Sequence, residues 1–447
     1  MDKQGLLQRL ADDGIEHLWV TYHDYNGRAC AKTLPKSKFE SAVEDGVVFA
    51  RANLNFGVHD HNAPDGLWQA QTGDFLALPD PEAYWKLPYH ENTAIVLSDM
   101  MTEGGDSFAG CPRQSLRQTV ARYAARAMNV TAGLEAEFSL FRKTTAGEYT
   151  PSRAGGMFTV AGLNQFADLL HEIVAALEAM GLQVEQLGKE YGPSQFEFTL
   201  RYDNPLAAAD RYLISKEVTR ALALRHGLIA SYMPKPFTDL AGNGLHVHLA
   251  LWDSATGDNL MTGGGLDNPL SGTGGQFMGG LMTRAPGICG VGAPTVNSYK
   301  RLQPASWAPA HIAWGVGNRG VLLRVPDINQ RCRVEYRGGD NTCNPYFFLT
   351  ALLAAGLDGI DTRADPGAPF HEDDVGHFSE EERLGHGIDY LPRTLPVALD
   401  ALENDEVLMS ALAPVIGKEF LKVKRLELDA YNLTVHEWER QMYLEVT

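Results

Sequence analysis

Cysteine is scarce and scattered. The five residues Cys30, Cys111, Cys289, Cys332 and Cys343 are odd in number and never spaced Cys-x-x-Cys, which argues against a disulfide framework and a thiolate zinc site. No apolar run approaches the length of a membrane span, so a membrane protein is not expected. The start Met1-Asp2-Lys3 lacks the cationic and apolar stretches of a secretory signal, and the expected location is cytoplasmic. Positive charge is also short. A formal net charge of −18 disfavours a nucleic-acid partner, whose backbone needs a basic surface. Heptads and internal repeats are absent. The glycine-rich segments Gly263-Gly264-Gly265 and 272–280 lack the Lys-Ser/Thr of a P-loop and read as flexible loops.

What remains is an ordinary enzyme composition, 44% hydrophobic and 21% charged, over 447 residues, a length that predicts two domains. Residues 18–22 and 94–97 read as strands and Asp24-Tyr25-Asn26-Gly27 as a turn, giving a small sheet domain over 1–110. Cys111-Pro112-Arg113 then introduces a helical pattern over 116–128, with proline where a helix can begin. From 111 to 447, helices over 164–180 and 210–226 alternate with strands over 131–141, 195–200, 245–251 and 333–337. The expected class is α+β. The stretch 361–383, rich in Asp, Glu, Gly and Pro, reads as an exposed excursion.

Several of these strands carry charge at period two. Glu135 and Glu137 share one face of Gly133-Leu134-Glu135-Ala136-Glu137-Phe138, and His246 and His248 share one face of their strand. Arg333, Glu335 and Arg337 alternate plus, minus, plus, while Glu190 and Glu197 bracket a Gly-Pro turn. Each set alone also fits a solvated strand face, an ordinary turn, a pair of satisfied histidines or a salt-bridge ladder. Together, carboxylates and imidazole without thiolate suit Mg2+ or Mn2+. Arg301, Arg319, Arg324, Arg333 and Arg337 concentrate cationic charge in one stretch of an acidic chain, as phosphates and a carboxylate require. Metal-binding acids facing arginines form a phosphoryl-transfer design.

The ordered set of motifs resembles the glutamine synthetase family over nearly the whole chain. It comprises 133–141, Gly192 to Glu197, Met233-Pro234-Lys235-Pro236 leading to Gly244-Leu245-His246-Val247-His248, Asn297-Ser298-Tyr299-Lys300-Arg301-Leu302, Asn318-Arg319 and Asn344-Pro345-Tyr346. The resemblance implies a β-grasp-like N-terminal domain, a catalytic domain with a strand-lined funnel, and homo-oligomers of stacked rings, most often dodecamers, with active sites between subunits. It implies ATP and two or more divalent ions per site, with Glu137, Glu190 and Glu197 on one ion and Glu135, His246 and Glu335 on another. Arg301, Arg337 and Gly242 match glutamate-binding positions and Arg319 the arginine facing the transferring phosphoryl group. Arg324, Arg333, His248 and Glu185 match the nucleotide side.

Three departures bear on the second substrate. Ala50 stands where the family has an ammonium-binding aspartate, Trp307 where it has a flap glutamate, and Ala241 where asparagine precedes Gly242. The pattern therefore resembles the family's γ-glutamylamide ligases, which join glutamate to a small amine such as methylamine. Glutamine synthetase proper, using ammonium, and a non-catalytic relative that keeps only the fold are the alternatives.

Overall fold

The computed structural model describes residues 1–151, 155–263, 269–326 and 332–446. Gly264 and Gly265 lie outside them. A first sheet contains β1 (His17–His23), β2 (Ala29–Pro35), β3 (Val47–Ala50), β4 (Asp74–Lys86) and β5 (Thr93–Met101) in the order β2-β1-β5-β4-β3. Within this sheet only the β1–β5 pairing is parallel. The second sheet contains β6 (Met128–Lys143), β7 (Tyr149–Pro151), β8 (Val184–Lys189), β9 (Gln195–Leu200), β10 (Ile229–Ser231), β11 (Leu245–Asp253), β12 (Trp314–Val316), β13 (Leu323–Val325) and β14 (Val334–Gly339). Its main path is β12-β13-β14-β11-β6-β9-β8, with β7 and β10 both pairing with β6.

One contiguous buried cluster runs through both sheets. The turn after β1 makes the joint. Asp24 Oδ1 accepts from the backbone N–H groups of Asn26 and Arg28, and Asn344 Nδ2 donates to the Asp24 carbonyl at 2.7 Å. Gly27 takes φ +72°, and a Cβ there would meet the Cys343 carbonyl at 2.9 Å, so glycine is required twice over. Asn344 then caps the helix Pro345–Thr362 through the Tyr346 N–H, and that helix is buried on nearly every side.

Four elements depart from the sequence reading; one is the helix expected over 210–226, which spans Pro205–Arg225. The helix expected over 116–128 spans Pro112–Ala124; Ala127 turns at φ +54° and Met128 already pairs with Asp253 in β6. The helix expected over 164–180 is two, Val160–Asn164 and Ala167–Ala179. The segment 272–280 is not a loop but part of the helix Gly272–Thr283, capped by Ser271. Its glycines permit close approach to the helix Pro345–Thr362: a Cβ on Gly280 would meet the Ala355 carbonyl at 2.1 Å, and one on Gly359 the Gln276 carbonyl at 2.3 Å. Backbone contact there outweighs the poor helix propensity of glycine.

Candidate active site

Strand pairing sets the site. In the β6–β11 register Glu135 lies opposite His246, in the β6–β9 register Glu137 lies opposite Glu197, and in the β11–β14 register His248 lies opposite Glu335. Since side chains alternate along each strand, these acids and imidazoles emerge on one sheet face. Glu135, Glu137, Glu197, His246 and His248 line a cavity of about 830 Å³, which Arg301, Arg319, Arg324, Arg333 and Arg337 also line, with Glu335 buried against Arg324 and Arg337.

Among the described residues, two overlapping groups have ligand atoms close enough to share an ion, Glu135, His248 and Glu335, and Glu135, Glu197 and His246. Arg333 Nε donates to His248 Nδ1 at 3.2 Å, so the His248 Nε2–H donates to Glu135 Oε1 at 2.8 Å. His246 is buried, and its Nδ1 has no hydrogen-bond partner; Glu135 Oε2 and Glu335 Oε1 lie 3.5 and 3.7 Å away. Glu335, 1% exposed, meets Arg324 NH1 at 2.9 Å and also pairs with Arg337 NH1. Glu137 Oε2 accepts from the Gly244 N–H at 2.6 Å.

The acids divide by environment. Burial, reinforced by Glu137, pushes the Glu190 carboxyl up to about 7. Burial raises Glu197 as well, aided by Glu135, Glu137 and Glu190. Burial also works to raise Glu135 and Glu335, but the imidazoles of His246 and His248 outweigh it at Glu135, and Arg337 with those imidazoles outweighs it at Glu335. Both of the latter carboxyls are held below the ordinary range.

A pH-dependent response to metal follows. The raised Glu190 and Glu197 stabilise the metal-free protein fully below the ordinary carboxylate pKa of about 4.3, and that stability is lost as pH rises through their folded values. Glu135 and Glu335, shifted downward, titrate below this window. A divalent ion relieves the repulsion, so the rise in thermal midpoint on adding Mg2+ is expected to grow from about pH 5 to about pH 8. Calorimetry with and without chelator measures this; a metal-induced shift that stays flat across that range removes these acids as the metal site.

Gly242 and Arg301 adjoin each other: Arg301 is buried, donates to the carbonyls of Gly339 and Arg337, and a Cβ on Gly242 would meet its Cγ at 3.2 Å. Arg319 and Trp307 also line the cavity, and the Trp307 ring lies 5.4 Å from that of Tyr191. Two predicted residues stand apart. Glu185 is exposed and off the cavity wall, because a strand irregularity after Val184 places Gln186 opposite Thr199 and Gln186 on the wall. Ala50 pairs with Asp74 in the first sheet and is exposed there, away from this chain's cavity.

Sequence reasoning missed Gln195 and Asn341. Gln195 Nε2 donates to Glu137 Oε2 at 3.1 Å and to the Gly242 carbonyl at 2.8 Å, and its period-two spacing from Glu197 was the signal that could have found it. Asn341 Nδ2 bridges the Glu137 and Gly244 carbonyls at 3.0 and 2.8 Å; no local pattern marks it.

Residues 109–443 match the glutamine synthetase catalytic domain family. A glutamine synthetase of Halobacterium salinarum is 38% identical, covering 99% of this chain and 97% of that protein. A second, of Thermus thermophilus, is 34% identical over 99% and 98% of the two chains. A solved GmaS/ADP complex superposes with a TM-score of 0.88 at 35% identity, covering 98% of this chain and 99% of that one. With a family match over 109–443 and full-length relatives at this identity, the chain belongs to the glutamine synthetase family of ligases.

Proposed function

We propose that this ligase joins the γ-carboxylate of glutamate to a small primary amine, methylamine foremost, through a γ-glutamyl phosphate, releasing ADP and phosphate. The observation that carries the amine is the aromatic pair at the cavity wall, where Trp307 lies against Tyr191. The likeness to GmaS, γ-glutamylmethylamide synthetase, supports the same reading. In this reading 1–110 and 111–447 are the two domains. The exposed Ala50 face of the first sheet meets the cavity of a neighbouring subunit in a stacked-ring homo-oligomer.

The donor set fits divalent metal, since buried His246 Nδ1 makes no hydrogen bond and lies 3.5 and 3.7 Å from two carboxylates. Glu135, His246 and Glu335 would hold one ion, and Glu137, Glu190 and Glu197 another. Bound there, Mg2+ or Mn2+ supplies charge neutralisation for the phosphates of ATP. Arg301 and Arg337, beside Gly242, would orient glutamate, while Arg324, Arg333 and His248 would face the nucleotide. A γ-carboxylate oxygen attacks the terminal phosphorus and ADP leaves. The amine lone pair then attacks the acyl carbon, the carbon–oxygen bond to phosphate breaks, and the amine's surplus proton is lost.

A methyl group is worth about 0.8 kcal/mol in a pocket, and one-methylene discrimination about 10- to 200-fold, so selectivity also requires weak ammonium binding. Ammonium needs several acceptors. An alkylammonium ion can give up one and rest its methyl on an aromatic face. A higher kcat/KM for methylamine than for ammonium is expected, with the gap narrowed in Trp307→Glu combined with Ala50→Asp. Rates at one pH, corrected for the free-base fraction of each amine, test it; an ammonium preference returns the chain to glutamine synthetase proper.

A further inference from the structure

The stretch 361–383 is largely exposed, as its composition predicts, but it is anchored by buried side chains, among them Phe370 and Val375. Phe370, Val375 and Ile388 bury against Ala313 and Val321 in a small core separate from the main one. Ala313 and Val321 flank the segment that carries Arg319. Polar ties run alongside: Phe370 N donates to the Trp314 carbonyl at 2.7 Å, Trp314 Nε1 to the Gly367 carbonyl at 3.0 Å, and Val316 N to His371 Nδ1 at 3.0 Å. The approach is close enough that a Cβ on Gly315 would meet the Phe370 carbonyl at 2.0 Å.

Asn318 gathers these ties next to Arg319. Its Nδ2 donates to the carbonyls of Phe370 and Asp373 at 2.8 and 3.0 Å, and its Oδ1 accepts from the Gly320 N–H at 2.8 Å. One side chain therefore fixes the backbone on the far side of Arg319 and anchors it to 366–378. On its other side, Arg337 Nε donates to the Arg319 carbonyl at 3.2 Å. The Arg319 backbone is held from two directions while its side chain faces the cavity.

We propose that Asn318, with the segment 366–378 it grips, is a positioning strut for Arg319, setting where that guanidinium stands when the phosphoryl group moves. The inference rests on the role proposed above for Arg319. Asn318→Asp keeps the acceptor for Gly320 but sets a carboxylate against two carbonyls, which expels the strut. Misplacement of a reacting group by an ångström costs about a hundredfold, so kcat is expected to fall by about ten- to a hundredfold with the KM for glutamate within about threefold. His371→Phe, a change at an exposed residue that removes only the acceptor for Val316, is expected to lower kcat by a smaller factor, about two- to fivefold.

ADP release by the full-length enzyme, with whichever amine supports the fastest rate, gives the readout. A double-mutant cycle with Arg319→Ala separates strut from scaffold: once Arg319 is gone, neither substitution should lower kcat further. An unchanged kcat in both single variants, or losses that multiply in the Arg319→Ala background, overturns the strut. A normal kcat in Arg319→Ala alone overturns the assignment of Arg319 as well. If Asn318→Asp does not fold, the His371→Phe cycle decides.

Discussion

Arg319→Ala is expected to lower kcat by about a hundredfold or more while leaving the KM for glutamate within about threefold. The reason lies in the division of labour among five arginines on one cavity. Arg324 and Arg337 are already engaged by the buried Glu335, Arg333 by His248, and Arg301 by the carbonyls of Gly339 and Arg337. Arg319 is exposed, lines the same cavity, and is held through its backbone carbonyl. In the role proposed for it, that guanidinium acts on charge that develops during transfer, which moves kcat, rather than on ground-state binding, which moves KM. Arg319→Lys should recover part of the loss only, because an ammonium cannot offer the planar fork that fits phosphoryl oxygens. Steady-state rates at saturating ATP and metal give both constants. A rise in KM with kcat intact would move Arg319 from the phosphoryl group to glutamate.

The parts of this site that were legible in the sequence are those written in period two. Glu135 and Glu137, or His246 and His248, must share a face once their segments are strands, and burial of the intervening Leu134, Ala136 and Val247 confirms the facing. Register between strands was not written locally; that His246 meets Glu135 and Glu137 meets Glu197 is decided by pairing across more than fifty residues of chain. Glu185 shows the limit, since one strand irregularity transfers the cavity-facing position to Gln186. Composition misled at one glycine-rich segment. Glycine over 272–280 reads as freedom but serves contact between helices, whereas the polar stretch 361–383 is largely exposed as it reads, with Phe370 and Val375 buried beside Arg319's segment.

Glu335 carries the other large effect, because one buried carboxylate answers to several partners. It pairs with Arg324 and Arg337 and stands 3.7 Å from His246 Nδ1, all in a position 1% exposed. Glu335→Ala leaves two guanidiniums facing each other without a counter-charge, and breaking a buried pair from one side costs about 3 to 5 kcal/mol. Both arginines line the cavity, which tempers the cost, so about 3 kcal/mol is the better expectation. Glu335→Gln keeps the volume but can accept from only one arginine, and its amide group presents a donor to the other; an intermediate loss follows. Both variants should also raise the half-saturating Mg2+ concentration by about a hundredfold or more, since even a residue behind a metal ligand contributes about 10- to 100-fold. The two effects separate by measurement. Chemical denaturation in chelator reads the arginine pairing alone, and the dependence of turnover on Mg2+ concentration reads the metal. Lost stability with an unchanged Mg2+ dependence would leave Glu335 as a partner for arginines and remove it from the metal site.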